Sequence, residues 1–268
     1  MTLFQAFFLG LVQGLTEFLP VSSTAHLLVT QHLFRLSSGP TMFAFLVLVQ
    51  WGTLLAVLIC FWRTWWELGR SLLRAPFWGA ENRLTRFLLL ATLPALVVGF
   101  LLHDAVTALF SQPLLEATVR LWTAAILMVL AERFGRRERG LESLQAKDAL
   151  WIGLFQVLSV FPGASRSGST LSGGMLRGLD RAAAARFAFL LSMPVMLAAG
   201  AYELLGLLRH PPSGAFLPAL GIGMLTAALS GWLAIRWMLR YLQTHSLWPF
   251  VLYCAVGGSL TLALSMLR

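Results

Sequence analysis

Charged residues and cysteines are scarce in this sequence. Only 12% of the 268 residues are charged, with 11 Asp and Glu against 20 Lys and Arg. Soluble domains carry about 25% charged residues, so this scarcity argues against a soluble protein. Cys60 and Cys254 fall in separate apolar runs, where a thiol behaves as a small hydrophobic group, and we assign them no chemistry.

The sequence also lacks a phosphate-binding glycine loop that ends in Lys and Ser or Thr. Nucleotide use is therefore unsupported. The net charge of +9 could suggest nucleic acid, but no segment between the apolar runs is long enough to form a soluble binding domain. We expect no nucleic-acid partner.

Long apolar runs are what the sequence has in abundance. It is 58% hydrophobic, and its mean hydropathy is +0.77. About 20 apolar residues cross the roughly 30 Å of hydrocarbon as a helix. The N-terminus has no basic residue before its first apolar run, so we expect no cleaved signal peptide. The runs predict an integral membrane protein with six crossings, near 42–62, 86–102, 117–132, 187–208, 215–235 and 247–267.

The basic residues are concentrated in particular connections. The connections 63–86 and 133–147 each carry five basic residues, whereas 103–116 carries no Lys or Arg. Connections rich in Lys and Arg stay in the cytoplasm. The pattern predicts that the first two connections are cytoplasmic and that the third is external.

The chain contains an internal repeat. "GLVQGLTEFLPVSS" from Gly10 resembles "GLFQVLSVFPGASR" from Gly153, and "FAFL" occurs at both 43–46 and 187–190. Offsets of 143 and 144 residues indicate one membrane domain of two halves, about 1–142 and 143–268. A basic connection follows the first "FAFL" segment and precedes the second, so we expect the halves to be inverted. Inverted repeats commonly place their site near the bilayer midplane.

Both repeated stretches are broken by proline. Pro20 and Pro162 interrupt the helical pattern and free backbone groups that lipid cannot satisfy. We predict two re-entrant helix pairs, about 3–34 and 149–178, whose tips meet inside the protein. The predicted fold is an all-α integral membrane protein of two inverted repeats, each a re-entrant helix pair plus three transmembrane helices.

The first stretch places ionisable groups at membrane depth. Gln13 and Glu17 are four residues apart and share one helix face. An ionisable group there indicates function by default, although Glu17 could instead be a structural partner of Arg166. The imidazole of His26 suits proton transfer near neutral pH; an interfacial histidine is the structural alternative.

The second stretch supplies anion-binding groups. Arg166 offers a planar fork of donors, and hydroxyls and glycines surround it at the start of a predicted helix. The run 167–174 is also typical of close helix packing. We predict that Ser165, Arg166 and Ser167 face a ligand, and that Ser169 and Ser172 pack. A carboxylate, an imidazole, hydroxyls and an arginine together favour phosphoryl transfer, with a divalent cation at Glu17.

Three motifs, "QGLTE", "SSTAH" and "PGASRSGST", resemble those of the undecaprenyl-diphosphate phosphatase family, also called bacitracin-resistance proteins. The resemblance extends over essentially the whole chain. It implies hydrolysis of undecaprenyl diphosphate to undecaprenyl phosphate and inorganic phosphate at the outer, periplasmic face of the bacterial inner membrane. That reaction recycles the lipid carrier of cell-wall synthesis and confers resistance to bacitracin. A divalent cation, Mg²⁺ or Ca²⁺, and contact with membrane lipids are expected, and the sequence is compatible with a homodimer.

The resemblance also implies which residues form the site. Gln13 stands where other members carry a second glutamate, which leaves one carboxylate fewer to bind metal. Sequence alone leaves the nucleophile open among Ser23, His26 and a metal-bound water. The implied residues are catalytic Glu17, Ser23, His26 and Arg166, substrate-binding Gln13, Ser22, Thr24, Ser165, Ser167 and Thr170, and Glu17 as the metal ligand.

Two other classes are alternatives. A lipid-phosphate flippase or a secondary transporter also uses inverted repeats with broken helices, but a pure transporter does not need a catalytic set of side chains beside Arg166. The type-2 phosphatidate phosphatase signature fails, since Ser172 stands where its histidine would be. We therefore retain the transporter as the alternative and discard the second phosphatase class.

Overall fold

A computed structural model describes residues 1–36, 39–102, 112–161, 164–209, 214 and 216–267. The described part of the chain is helical and contains no β-strand. Its α-helices are α1 (Leu3–Glu17), α2 (Ser23–Leu33), α3 (Pro40–Leu48), α4 (Gln50–Cys60), α5 (Trp62–Arg74), α6 (Arg83–Leu101), α7 (Pro113–Phe134), α8 (Ala146–Val157), α9 (Arg166–Leu176), α10 (Arg181–Arg209), α11 (Phe216–Thr244) and α12 (Trp248–Met266).

Six helical segments in the described residues are long and apolar enough to cross a membrane. They confirm the six predicted crossings and a multi-pass membrane protein. α3 and α4 together form the first span, and a 3₁₀ turn extends α6 at its start. The spans are Pro40–Cys60, Ala80–Leu101, Pro113–Phe134, Arg181–Arg209, Phe216–Thr244 and Trp248–Met266.

Two pairs of short helices complete the fold. α1 and α2 have 15 and 11 residues, and α8 and α9 have 12 and 11. At 1.5 Å per residue none of the four reaches 30 Å. Pro20 lies in the turn between α1 and α2, and Pro162 lies outside the described residues. The predicted interrupted pairs are therefore present, while their entry from opposite faces stays a prediction.

Aligned glycines of the two repeats have the same packing role. Gly10 of α1 lies against the backbone of Gly223 in α11, and Gly153 of α8 lies against the backbone of Ala91 in α6. A Cβ at either glycine would overlap a carbonyl oxygen of its neighbour. Each short helix thus packs closely on the middle span of the opposite half, as related repeats would.

The last span of each half is α7 and α12, and these two helices run antiparallel. Thr118, near the start of α7, has its Oγ1 2.8 Å from Oγ1 of Thr261, near the end of α12. At the other end, the backbone N–H of Leu247 donates to Oε1 of Glu132 at 2.8 Å. Helices in equivalent positions of inverted repeats must run in opposite directions.

α4 and α10, which follow the short helix pair in each half, show the same relationship. Trp51 Nε1, at the start of α4, donates to the backbone carbonyl of Met196 at 3.3 Å. The guanidinium of Arg186, earlier in α10, lies 5.8 Å from the ring centre of Phe61 at the end of α4. Both antiparallel pairs agree with inverted halves, whose orientation in the membrane stays a prediction.

Asp148, in the first turn of α8, joins the connection between the halves to the end of α9. Its buried carboxylate accepts hydrogen bonds from Arg139 Nη2 at 2.7 Å and from Arg177 Nε at 2.8 Å. Burial raises the pKa of Asp148, but the bonds from the two arginines outweigh that effect, and the pKa lies below its ordinary value. The ion pairs fix the second helix pair against the linker.

Candidate active site

A cavity of about 180 Å³ lies where the turns of the two short helix pairs meet. The first turn contributes residues 22–24, and the second contributes residues 164–167. The repeated stretches are thus brought together, as predicted from their resemblance. The polar residues of the lining are Glu17, Ser22, Ser23, Thr24, Gln50, Arg120, Ser159, Ser165, Arg166 and Ser167.

Two helix N-termini point at this cavity. Ser22 caps α2 by accepting a hydrogen bond from the backbone N–H of Ala25 at 3.4 Å, and Ser165 caps α9 by accepting from Gly168 at 3.2 Å. The two capping serines are the aligned pair of the repeat. The start of a helix carries a partial positive charge and exposes N–H groups. Together the two helix starts favour a bound anion such as a phosphate.

Ser22 has a backbone conformation that is unusual for a residue with a side chain. Its φ is 64°, in the region that glycine prefers. Such strain is concentrated at functional sites because the surrounding structure must enforce it. Here the conformation turns the chain from α1 into α2 and places Ser23 next to Glu17.

Glu17 is the centre of the hydrogen-bond network. Its carboxylate, 6% exposed, accepts from Arg166 through Oε1. Through Oε2 it accepts from Gln13 Nε2 at 2.7 Å and from the Ser23 hydroxyl at 2.5 Å. Three donors on its two oxygens hold this buried carboxylate in a fixed orientation. The Ser23 hydroxyl therefore points its proton at a base.

Arg166 links the two halves at the first residue of α9. Besides Glu17 of α1, it contacts the Ala188 carbonyl at 3.4 Å and the Met196 sulfur at 3.5 Å, both on α10. Ser167 adds a second link, because its hydroxyl donates to the Leu19 carbonyl at 2.9 Å. The guanidinium is thus held at the cavity wall in a fixed orientation.

His26 lies half-buried one turn beyond Ser22, outside the cavity lining. Its Nδ1 is 2.8 Å from the Ser22 carbonyl, and its Nε2 is 2.6 Å from the Tyr253 hydroxyl. Both ring nitrogens therefore have partners other than Ser23. Glu17, rather than His26, is in position to take the Ser23 proton.

Two of the predicted substrate-binding residues lie behind the cavity wall. Gln13 is fully buried beneath Glu17. The Thr170 hydroxyl donates to the Arg166 carbonyl at 2.9 Å, within α9. Ser169 and Ser172 are fully buried, in agreement with their predicted packing role. Apart from His26, the remaining predicted residues line the cavity: Glu17, Ser22, Ser23, Thr24, Ser165, Arg166 and Ser167.

Comparison with known proteins identifies the family to which this sequence belongs. Residues 6–260 match the family described as "Bacitracin resistance protein BacA". The chain belongs to the BacA family. A relative from Desulforudis audaxviator, named undecaprenyl-diphosphatase, is 40% identical over 265 residues, which cover 99% of this chain and 98% of the relative.

Two further relatives of this BacA family member carry the same name. The protein of Anaeromyxobacter sp. (strain K) is 42% identical over 271 residues, covering 98% of this chain and 92% of the relative. The protein of Synechococcus elongatus is 39% identical over 267 residues, covering 97% and 92%. The likeness extends over the whole repeat architecture rather than over one motif.

Three polar residues of the BacA cavity were missed by sequence reasoning: Gln50, Ser159 and Arg120. Arg120 lies in neither repeated stretch and was assigned no role. A signal was available, because Arg120 lies inside the predicted crossing 117–132 and four residues after Glu116 at its edge. Gln50 and Ser159 are polar residues in apolar surroundings and gave no motif.

The donor set of the cavity fits a hard cation held partly by its substrate. Among the described residues no three His, Cys, Asp or Glu side chains converge. Glu17 supplies one carboxylate, and the lining hydroxyls and the Gln50 amide supply neutral oxygens. The buried Oε1 of Gln13 has no hydrogen-bond partner. Magnesium is commonly bound by one or two carboxylates together with substrate phosphates, which this all-oxygen set allows.

Proposed function

We propose that this chain hydrolyses undecaprenyl diphosphate to undecaprenyl phosphate and inorganic phosphate. The observation that carries the proposal is the cluster of Arg166, Glu17 and Ser23 at a cavity where two helices begin. The cluster combines a phosphate-binding group, a base and a nucleophile. Relatives named undecaprenyl-diphosphatase supply the substrate class.

The dimensions of the cavity suit the head group of such a lipid. Its volume of about 180 Å³ is below the ~300–1,000 Å³ typical of pockets that enclose drug-sized ligands. The hydroxyls of Ser22 and Thr24 can donate to phosphate oxygens. Those of Ser23, Ser159 and Ser167 already donate to Glu17 and to the carbonyls of Gln156 and Leu19. The prenyl chain would remain outside, in contact with membrane lipids and the apolar surface of the spans.

The hydrogen bond from Ser23 to Glu17 supports phosphoryl transfer to Ser23. The Ser23 Oγ attacks the terminal phosphorus, its proton passes to Glu17 Oε2, and the bond from phosphorus to the bridging oxygen breaks. Undecaprenyl phosphate leaves, and Arg166 stabilises the charge on the transferred group. Water then attacks the serine phosphate, the Glu17 proton returns to Ser23, and inorganic phosphate is released.

A divalent cation, Mg²⁺ or Ca²⁺, belongs to this proposal. Glu17 would hold it together with phosphate oxygens of the substrate, where its charge would offset the charge of the diphosphate. Binding at Glu17 requires the carboxylate to share its oxygens between the cation and Arg166. Gln13 orients that carboxylate from behind with its amide N–H.

The site is proposed to open to the outer face of the bacterial inner membrane. Arg120, at the cavity, lies seven residues after Pro113 and fourteen before Phe134, or about 10 Å and 21 Å along α7. The end at Phe134 leads into a connection with many basic residues, which favours the cytoplasmic side. The preceding connection, most of which (103–111) lies outside the described residues, has no Lys or Arg.

The experiment is phosphate release from undecaprenyl diphosphate by purified protein in detergent with Mg²⁺ or Ca²⁺. We expect release by the wild type, loss with a chelator, and a decrease of at least about 100-fold in Arg166→Ala. Arg70→Ala removes an exposed arginine from α5 and is the matched control. No release by folded wild type with either metal would refute the proposal and favour the transport alternative.

Serine phosphorylation needs its own measurement. Ser23→Ala should abolish turnover, and rapid acid quenching of the wild type with ³²P-labelled substrate should trap a label on Ser23. Ser159→Ala, which removes another hydroxyl of the cavity, should retain most of the activity. If no ³²P is found on the protein during turnover, the result would argue for direct attack by water.

A further inference from the structure

Arg120 is a second guanidinium at the cavity, and it comes from a transmembrane span. It lies in α7, is 5% exposed and lines the same cavity as Arg166. Arg166 belongs to the second half of the chain and Arg120 to the first. A buried arginine in a span indicates function by default, because its burial in a membrane is costly.

Hydrogen bonds to Glu116 and Ala164 help to fix the orientation of Arg120. Its Nε donates to Glu116 Oε1 at 2.8 Å, and its Nη1 donates to the Ala164 carbonyl at 2.9 Å. Ala164 immediately precedes the capping residue Ser165. The guanidinium is therefore held beside the start of α9 while it lines the cavity.

A purely structural role does not account for this arrangement. The side chains of Glu116 and Arg120 are both 6% exposed. Replacing a buried ion pair by apolar groups is often neutral or stabilising. Apolar residues could therefore pack this span against its neighbours without the ion pair. The position of Arg120 at the cavity indicates a role in ligand binding instead.

The two arginines belong to different clusters. Arg166 is bonded to Glu17, which is bonded to Ser23, so it is next to the reacting group. Arg120 is bonded to Glu116 and to the backbone beside Ser165. A diphosphate has charge on both of its phosphates, and each needs compensation when it leaves water.

We propose that Arg120 binds the phosphate that remains on the prenyl chain, while Arg166 binds the phosphate that is transferred. This assignment rests on the proposed function and adds a second phosphate subsite to it. Arg120 then holds the leaving group as well as the substrate. It follows that Arg120 contributes to the binding of the product undecaprenyl phosphate and does not contribute to the binding of inorganic phosphate.

The test compares inhibition of the hydrolase by its two products. In Arg120→Gln we expect KM for undecaprenyl diphosphate and the inhibition constant of undecaprenyl phosphate to rise together by at least about tenfold, equivalent to about 1.4 kcal/mol. The inhibition constant of inorganic phosphate should stay unchanged. A variant that weakens phosphate inhibition and leaves inhibition by the lipid product intact would overturn the assignment.

Two further variants separate binding from folding. The double variant Glu116→Gln with Arg120→Met removes both charges and leaves no unpaired buried carboxylate. It should fold with a melting temperature close to that of the wild type and show the same loss of lipid-product binding. Arg120→Lys keeps the charge but loses the planar guanidinium. Its inhibition constant for undecaprenyl phosphate should therefore lie between those of the wild type and Arg120→Gln. Wild-type affinity for undecaprenyl phosphate in the double variant would contradict the proposal.

A direct binding measurement distinguishes failure of this proposal from failure of the proposed function. Undecaprenyl phosphate in detergent micelles is titrated into wild type and Arg120→Gln with no turnover involved. If the wild type hydrolyses the diphosphate but both proteins bind the lipid product equally, only the subsite is wrong. If the wild type does not hydrolyse it, the reaction is wrong, whereas a difference in binding would still support the subsite.

Discussion

The imidazole of His26 lies parallel to the phenol ring of Tyr253, with 5° between the ring planes and 5.7 Å between their centres. The Tyr253 hydroxyl is 2.6 Å from Nε2, and the Ser22 carbonyl is 2.8 Å from Nδ1. A carbonyl can only accept, so Nδ1 carries a proton, and in the neutral ring Nε2 accepts from Tyr253. The Ser22 carbonyl thus fixes the tautomer of His26, and Tyr253 holds its ring beside the strained turn at Ser22.

Tyr253→Phe is expected to lower kcat by roughly 3- to 10-fold with little change in KM, since one positioning hydrogen bond of about 1 kcal/mol is lost while the ring remains. The variant would leave Nε2 of His26 without its donor and free to take up a proton, while Nδ1 stays bonded to the Ser22 carbonyl. The pH dependence of kcat should change in shape, which a merely structural role would not cause. Tyr241→Phe is the control, because that hydroxyl donates to the Ser246 carbonyl. Equal effects in the two variants would contradict the role of Tyr253.

The packing of the short helices leads to a prediction of stability. Gly10→Ala places a methyl group against the backbone of Gly223, and overpacking of this kind costs about 1–3 kcal/mol. Gly206→Ala, with open space around its Cβ, should be neutral or stabilising because alanine favours the helix. Thermal unfolding in detergent compares the two. Equal melting temperatures would show that α1 and α11 separate easily.

Much of the fold follows from the sequence. Six crossings are readable because apolar length alone determines a span. Ser22 and Ser165 could be recognised as equivalent because they are aligned in the repeat, and both prove to cap helices at the cavity. Glu17 and Arg166 were expected to meet, since both lie in the repeated stretches.

The parts that could not be predicted depend on contacts between distant segments. Tyr253 is 227 positions from its partner His26, and no local pattern marks it. The bond from Arg120 to Ala164 crosses 44 positions, so the sequence did not show that Arg120 reaches the cavity. The positive φ of Ser22 could not be predicted either, because serine normally avoids that region.

Asp148 leads to a prediction about pH. Its pKa is lowered in the folded protein, so the unfolded chain takes up the proton at a higher pH than the folded chain does. The stabilisation is fully present above the ordinary Asp value of about 3.9 and is lost as the pH falls through the folded value. The melting temperature should therefore fall on acidification below about pH 4.

Asp148→Asn should lower the melting temperature at neutral pH and flatten its decline in acid, since the titrating group is gone. The variant also leaves Arg139 and Arg177 without their carboxylate. Glu67→Gln, at an exposed position on α5, is the control and should retain the wild-type profile. An unchanged slope in Asp148→Asn would assign the acid sensitivity to other carboxylates.

Gln13→Glu tests whether a second carboxylate strengthens cation binding at this site. The Gln13 amide N–H now donates to Glu17 Oε2 at 2.7 Å, whereas a glutamate would place a second negative charge against it. Without divalent cations the variant should unfold at a lower temperature, because like charges would be buried together. With Mg²⁺ or Ca²⁺ it should be restabilised more strongly than the wild type, because two carboxylates bind a cation better than one.

Gln156→Glu is the matched control, because Gln156 is the aligned glutamine of the other repeat and is equally buried. Its amide donates to the Ala91 carbonyl at 3.4 Å and does not contact Glu17. A glutamate there should destabilise the protein, and added cations should not restore it. Melting temperatures measured across a cation titration separate the cases. Equal responses of the two variants would show that the cation does not bind at Glu17, whereas a response confined to Gln13→Glu would place it there.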